Sequence, residues 1–481
     1  MAWLEQLSRF WPHLAAGFDF LAALLATIHA LLHKRDPRAA TLWIATIWML
    51  PVLGPLFYLV LGVNRIRRRA VHLAVHKTLL ARAVPEDFGD ASHEGAAHLK
   101  LLARVVSRVD PRPLTAGNRF EPLVNGDAAY PAMLAAIGSA KKSLTLCSYI
   151  FDNDASGAQF VAALQSAVQR GVAVRVLVDA AGTRYSWPPI TRRLGAAKVP
   201  HAKFLPASLL TPWRVATINL RNHRKLLIVD GHVAFTGGMN IRHGNVLGSR
   251  PKSPVSDLHF RVAGPVVTQL QEAFANDWAF TTGEVLDGEI WFAEPVDTGE
   301  VIARAISDGP DADYDKLRLT LLAALAEAQT SVKILTPYFL PDPTLVSALN
   351  LAALRGVEVD IVLPAKSNLP YVHWASRALW WQVLERGCKI WLAPPPFDHS
   401  KLMVVDGHWV LLGSANWDAR SLRLNFELNV ECYGRGFAGE MEKLIARKMS
   451  AAHPVVQAEV DARWVPVKLL DAAARLFSPY L

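Results

Sequence analysis

Two long apolar runs open the chain. Residues 41–62 (TLWIATIWMLPVLGPLFYLVLG) contain no charge, and at 22 residues they exceed the length needed to cross a hydrocarbon core of about 30 Å. They predict a transmembrane helix kinked at Pro51, Gly54 and Pro55. Residues 14–32 (LAAGFDFLAALLATIHALL) are almost as long but carry Asp19 and His29, which are expensive at bilayer depth. Together the runs predict an N-terminal transmembrane helical hairpin, with Trp3, Trp11, Trp43 and Trp48 as candidate interfacial anchors.

From about residue 119 the pattern changes to short apolar runs separated by helical stretches, the mark of an α/β architecture. The pattern is laid down twice. Residues 163–177 (ALQSAVQRGVAVRVL) match residues 348–362 (ALNLAALRGVEVDIV) at a constant offset of 185. Each copy reads as a helix that ends at Gly and enters a buried strand. The upstream stretches Cys147-Ser148-Tyr149-Ile150-Phe151 and Leu335-Thr336-Pro337-Tyr338-Phe339 correspond as well. Their aromatic residues are core or cavity lining. Residues 283–313 read as a linker with an entering strand at 289–292, and residues 467–481 as a helix that packs on the body or lies in the membrane interface. The implied division is 1–75 membrane-anchoring helices, 76–118 connector, 119–290 first half and 291–481 second half.

Charge sharpens the picture. The 481 residues carry a formal +9, but residues 1–82 hold ten Lys or Arg against three Asp or Glu, so +7 of it lies there. The rest of the chain is near neutral, which argues against a nucleic-acid groove. Lys34, Arg35 and Arg38 precede the second apolar run, while Arg65, Arg67, Arg68 and Arg69 follow it. The denser run leads into the α/β part and places that part in the cytoplasm. Cys147, Cys388 and Cys432 have no metal-knuckle or disulfide spacing.

The chemistry is carried by a second repeat. His223-Arg224-Lys225 ends in Asp230, and His399-Ser400-Lys401 ends in Asp406, so both copies read H-x-K-x4-D. Seventeen residues past each His stands an Asn, Asn240 and Asn416. On a strand, residues i and i+2 share a face about 6 to 7 Å apart. Each His and Lys thus forms a phosphate-sized pair, with imidazole as nucleophile or proton carrier and ammonium and amide as partners for phosphoryl oxygens. Zinc is disfavoured because a lysine on the same face has the wrong sign for a cation site.

Two such motifs with a following Asn resemble the phospholipase D superfamily. Residues 53–58 (LGPLFY), Asn222-His223-Arg224-Lys225 and residues 418–427 (DARSLRLNFE) are similar, more narrowly, to bacterial cardiolipin synthases. The resemblance implies a tandem α/β/α sandwich with pseudo-twofold symmetry, in which His223, Lys225, His399 and Lys401 meet in one metal-free and cofactor-free site. It implies a multi-pass enzyme of the bacterial inner membrane that joins two phosphatidylglycerol molecules through a phosphatidyl-histidine. Similar enzymes place the nucleophile on the first motif, making His223 the nucleophile and His399 the acid/base. Asn240 and Asn416 would hold phosphoryl oxygens. Glu427 would orient the histidine of the second half and Asp257, less closely matched, that of the first, with Arg420 and Asn425 supporting. For Asp230 and Asp406, each ahead of a Gly, a direct catalytic part and a turn-fixing part both remain open.

Overall fold

The computed structural model describes residues 2–34, 36–62, 97–206 and 219–478. It divides into two units, one containing the N-terminal helices and the other residues 67–206 with 221–481. The basic cluster at Arg65, Arg67, Arg68 and Arg69 lies outside the described residues.

In the first unit, helix α1 (Ala2–His33) is followed by α2 (Pro37–Met49), the short α3 (Leu53–Phe57) and a π-helical turn, Tyr58–Gly62. Residues 41–62 do not form the single kinked span expected of them. A straight helix from Pro37 to Gly62 would separate its ends by roughly 40 Å at 1.5 Å per residue. Instead, Lys34 Nζ donates to the Gly62 carbonyl at 2.6 Å, and the rings of Trp43 and Tyr58 lie 5.4 Å apart. The chain therefore turns back on itself. The reversal is at Val52, held at φ +64° in a tight turn in which Leu53 N–H donates to Pro51 O. A Cβ on Gly54 would stand 2.4 Å from Thr46 O, so only glycine lets α3 lie this close to α2.

The same turn explains the two costly residues of α1. Asp19 accepts the Val52 N–H at 2.7 Å, and His29 hydrogen-bonds the Tyr58 hydroxyl at 2.8 Å. Both polar groups are spent on the returning hairpin rather than left in lipid. Among the described residues one helix, Phe10–His33, is long and apolar enough to cross a membrane. The residues with the cleaner hydropathy turn back, and those with the blemishes form the long helix. Trp43 also departs from expectation, since it packs inside the hairpin, whereas Trp11 and Trp48 are exposed.

The second unit is built around a sixteen-stranded sheet in which six strands follow in the same order on either side of a central pair, with His453–Val455 added at the edge of the second half and Arg221–Asn222 paired off the main path. Thr115–Val124 and Val301–Asp308 pair antiparallel at the middle. Outwards from the first come Leu258–Ala263, Val233–Gly237, Leu226–Val229, Ser143–Ser148, Ala173–Asp179 and His201–Phe204. Outwards from the second come Asn425–Tyr433, Trp409–Gly413, Leu402–Val405, Ser331–Leu335, Glu358–Pro364 and Lys389–Ala393. The 185-residue repeat is thus two copies of one strand order. Gly171 (φ +85°) and Gly356 (φ +93°) end the equivalent helices in the left-handed region.

Each half keeps its own apolar core, with Phe160, Leu164 and Val176 in the first and Leu349, Ile361 and Trp409 in the second. Two boundaries differ from the sequence reading. Leu99, Leu102, Ala103 and Val106, from the connector, pack into the second half's core although they precede the first half in the chain. Residues 289–292 are not a strand; they form turns after Gly288, and the entering strand is Val301–Asp308.

Candidate active site

Each H-x-K motif sits where a two-residue strand crosses to the other half. Arg221–Asn222 pairs parallel with Asn425–Phe426, and Phe397–Asp398 pairs parallel with Val255–Ser256. His223 N–H continues the first pairing to Phe426 O at 2.9 Å, and His399 N–H the second to Ser256 O at 2.8 Å. Both histidines therefore open into one cavity of about 640 Å³ lined by residues of both halves.

The crossing decides which carboxylate serves which imidazole. His223 Nδ1–H donates to Glu427 at 2.9 Å, and His399 Nδ1–H donates to Asp257 at 2.9 Å. This corrects the expectation that each carboxylate serves the histidine of its own half, because they are exchanged. Glu427 is held in turn by Ser414 Oγ and Asn425 Nδ2, and Asp257 by the Leu258 N–H. With Nδ1 committed, Nε2 is the nitrogen presented to a ligand.

Residues 223–225 and 399–401 lie between strands rather than within one, and each lysine reaches back to its own histidine. Lys225 Nζ donates to the His223 carbonyl at 2.5 Å, and Lys401 Nζ to the His399 carbonyl. Burial pushes the imidazoles down to about 4, with Glu427 and Asp257 only partly opposing it. Burial also pushes Lys225 down to about 7 and Lys401 to about 8. Burial works to raise Glu427 and Asp257, but the facing histidines and lysines outweigh it and hold both below the ordinary carboxylate range. The site at neutral pH is two neutral imidazoles backed by two carboxylates and flanked by two buried lysines, Lys401 mostly charged and Lys225 about half so, a pocket for an anion. The same donor set suits a metal ion poorly, since each carboxylate is already committed to an imidazole and each imidazole has an ammonium beside it.

Asn240 and Asn416 both line the cavity. Asn240 Oδ1 accepts the Ile150 N–H at 3.0 Å, and Asn416 Oδ1 is buried without a hydrogen-bond partner. Of the aromatic residues, Tyr149 and Tyr338 line the cavity, their rings 5.0 and 6.3 Å from those of His223 and His399, while Phe151 and Phe339 are core. Arg420 and Asn425 face the cavity directly.

Asp230 and Asp406 are not brought to the site. Asp230 accepts backbone N–H groups from Lys141, Lys142 and Ser143, and Asp406 those of Gln329, Thr330 and Ser331, at the far end of the motif strand. Both residues adopt φ +52°. A direct catalytic part for them is set aside: they fix the turn and clamp the neighbouring strand.

Arg221, Tyr185, Asp418 and Tyr371 also line the cavity and went unnoticed in the sequence. Arg221 was findable, because it stands two residues before His223 and shares its face, as Phe397 does with His399. Arg420 lies close enough to Arg221 that, after burial, this like charge depresses its proton affinity. Two guanidinium groups kept together in one cavity strengthen its anionic preference.

The family model described as "Cardiolipin synthase, PLD-like domain" matches residues 133–278 and 321–449, and one described as "Phospholipase_D-nuclease N-terminal" matches residues 21–62. The chain is 33% identical over 485 residues to "Cardiolipin synthase A" of Pseudomonas fluorescens (strain SBW25), covering 98% of this chain and 99% of that one. It is 30% identical over 455 residues to "Cardiolipin synthase" of Geobacillus kaustophilus (strain HTA426), covering 94% and 90%. In three dimensions it is similar to a phosphatidylserine synthase from Haemophilus influenzae Rd KW20, with a TM-score of 0.62 at 14% identity over 79% of this chain and all of that one. That last likeness is one of fold.

Proposed function

The chain belongs to the phospholipase D-like cardiolipin synthase family, and from that premise we propose that it is a membrane phosphatidyltransferase joining two phosphatidylglycerol molecules into cardiolipin with release of glycerol. The observation that carries this reading is the meeting of His223 and His399 in one cavity, each braced by the other half's carboxylate. His223 Nε2 attacks phosphorus, the P–O bond to the departing glycerol breaks, and His399 delivers the proton to that oxygen. The incoming glycerol hydroxyl then returns a proton to His399 as its oxygen displaces His223. Lys225, Lys401, Asn240 and Asn416 neutralise the non-bridging oxygens throughout.

The low proton affinity of the two imidazoles is consistent with this order. A neutral His223 is a competent nucleophile, and an arriving phosphodiester anion raises the proton affinity of His399 when an acid is needed. The substrate is a membrane phospholipid rather than nucleic acid, in keeping with the near-neutral charge of residues 83–481. The hairpin in the first unit supports a bacterial inner-membrane location with the catalytic unit cytoplasmic. If α1 crosses and α2–α3 returns, Lys34, Arg38 and the cluster after Gly62 all fall on one side, as positive-inside asymmetry requires.

The reading is tested by reconstituting the protein with phosphatidylglycerol, with and without EDTA, and measuring cardiolipin and glycerol against phosphatidic acid. Cardiolipin with equimolar glycerol, undiminished by EDTA, is expected. Phosphatidic acid as the main product would make it a hydrolase.

A further inference from the structure

The C-terminal helix Val465–Arg475 is inside out. Its one fully buried side chain is Asp471, which pairs with Arg377 at 2.7 Å and Arg463 at 2.6 Å. Its outward face carries Leu469 (64% exposed) and Leu470, preceded by Trp464 (74%) and followed by Leu476 (79%) and Phe477 (63%). At 100° per residue Val465, Leu469, Ala473, Leu476 and Phe477 fall within one arc opposite Asp471. A helix stabilised only by the protein body would turn this arc inwards. This one spends a buried ion-pair network to keep it out.

The helix also has a definite address. Its Ala474 packs on a small cluster of Leu340, Val372, Ala375 and Leu379, which Tyr338 and Leu369 complete. Tyr338, Leu369 and Val372 line the catalytic cavity, so the inverted helix backs directly onto its wall. A cavity of about 640 Å³ is of small-molecule size, with room for phosphoglycerol head groups but not for the acyl chains of two phospholipids. Those chains must stay in the bilayer while the phosphorus reaches His223. The rim of the cavity has to meet lipid, and the apolar arc stands behind one of its walls.

We infer that this face is a second, interfacial membrane contact, which lays the cavity wall on the bilayer surface so that a phospholipid enters head group first without leaving the lipid phase. The occupant is a lipid bilayer. Charges on residues 457–478 balance, with Arg463, Lys468 and Arg475 against Glu459, Asp461 and Asp471, so apolar insertion rather than attraction to anionic lipid drives the contact.

The inference rests on the phospholipid substrate proposed above, and its main test needs no turnover. All three native cysteines are buried, so Leu469→Cys, Phe477→Cys and, on an unrelated exposed surface, Arg447→Cys each carry one environment-sensitive fluorophore. The full-length protein is reconstituted in phosphatidylcholine/phosphatidylglycerol vesicles. Blue-shifted emission at positions 469 and 477, quenched by lipids bearing a nitroxide on the acyl chain, with a water-like signal at 447, is expected. Water-like emission at 469 and 477 overturns the inference. So does a blue shift without nitroxide quenching, which would mean that protein, such as a second copy, covers the face. In a second measurement, Leu469→Ser combined with Leu476→Ser should lower transfer from bilayer phosphatidylglycerol at least fivefold while leaving transfer from a dispersed short-chain analogue unchanged. Equal activities on both substrates in variant and wild type overturn it.

Discussion

Glu427 accepts the Nδ1–H of His223 at 2.9 Å across 204 residues of chain. The half that supplies one imidazole therefore supplies the carboxylate that orients the other, and neither half holds a complete histidine–carboxylate pair. Glu427→Gln preserves shape and removes the charge, so transfer should fall by about 10²–10⁴-fold, the range for a general acid–base partner. Asp257→Asn should cost a similar factor through His399. A phosphatidyl donor whose leaving group needs no proton, such as p-nitrophenol, separates the two. Rapid-quench measurement should show a restored burst in Asp257→Asn but not in Glu427→Gln, and the opposite pattern would exchange the roles of His223 and His399.

The motif aspartates should behave differently from the motif histidines. Asp230 and Asp406 each hold a fan of backbone N–H groups at the closed end of a strand. Replacing either with Asn leaves its donors poorly matched, those of Ser143 and Ser331 half-buried and the rest exposed, which costs about 1 kcal/mol of stability. Thermal unfolding of Asp230→Asn and Asp406→Asn should shift down, while activity per folded molecule stays within about tenfold of wild type. His223→Ala and His399→Ala should unfold as wild type does and transfer nothing measurable.

Above neutral pH the profile should report the lysines. In the free enzyme both imidazoles are neutral above about pH 4, and burial sets Lys225 at about 7 and Lys401 at about 8. As pH rises through 7 to 8 the ammonium groups lose their protons and the anion site fails, so kcat/KM should decline there. A bound phosphodiester favours the charged lysine and raises its pKa, so the decline in kcat should lie at higher pH than that in kcat/KM. Lys225→Arg cannot deprotonate in this range and should move the alkaline limb of kcat/KM upwards. A limb centred near 6.5 in wild type would instead show an unperturbed histidine.

Much of this was legible from period and register. The H-x-K spacing kept His223 with Lys225 and His399 with Lys401, although both segments lie between strands rather than on one, and the 185-residue offset gave the doubled strand order. The exchange of Glu427 and Asp257 was not legible, because it depends on two-residue strands, Arg221–Asn222 and Phe397–Asp398, too short to leave any periodicity. The strand expected at 289–292 failed for a local reason. Trp291, one of its three apolar residues, is stacked by the Arg175 guanidinium at 5.4 Å in a turn rather than paired in the sheet. Hydropathy erred in the first unit because a window average cannot see a reversal at one residue, Val52. Asp19 and His29, which weakened the first span in the sequence, are the groups that hold the reversal in place.

That reversal makes a prediction about sidedness. A hairpin of two full spans would put Arg38 on the opposite side of the membrane from Arg104, because residues 41–62 would cross between them. A returning α2–α3 puts both on the same side, with the N-terminus across from them. Helix α2 itself, at 13 residues, reaches only about 20 Å, short of the roughly 30 Å of hydrocarbon. Arg38 and Arg104 are exposed and the native cysteines are buried, so Arg38→Cys and Arg104→Cys report cleanly to a membrane-impermeant maleimide. In intact cells neither should label, in inside-out vesicles both should, and an N-terminal epitope should show the reverse. Labelling of Arg38→Cys in intact cells with Arg104→Cys protected would restore the second span. Asp19→Leu should then be the informative companion. Without the carboxylate that accepts the Val52 N–H, the turn loses its cap, the uncharged stretch is free to run straight through, and Arg38 should become accessible from outside in part of the population.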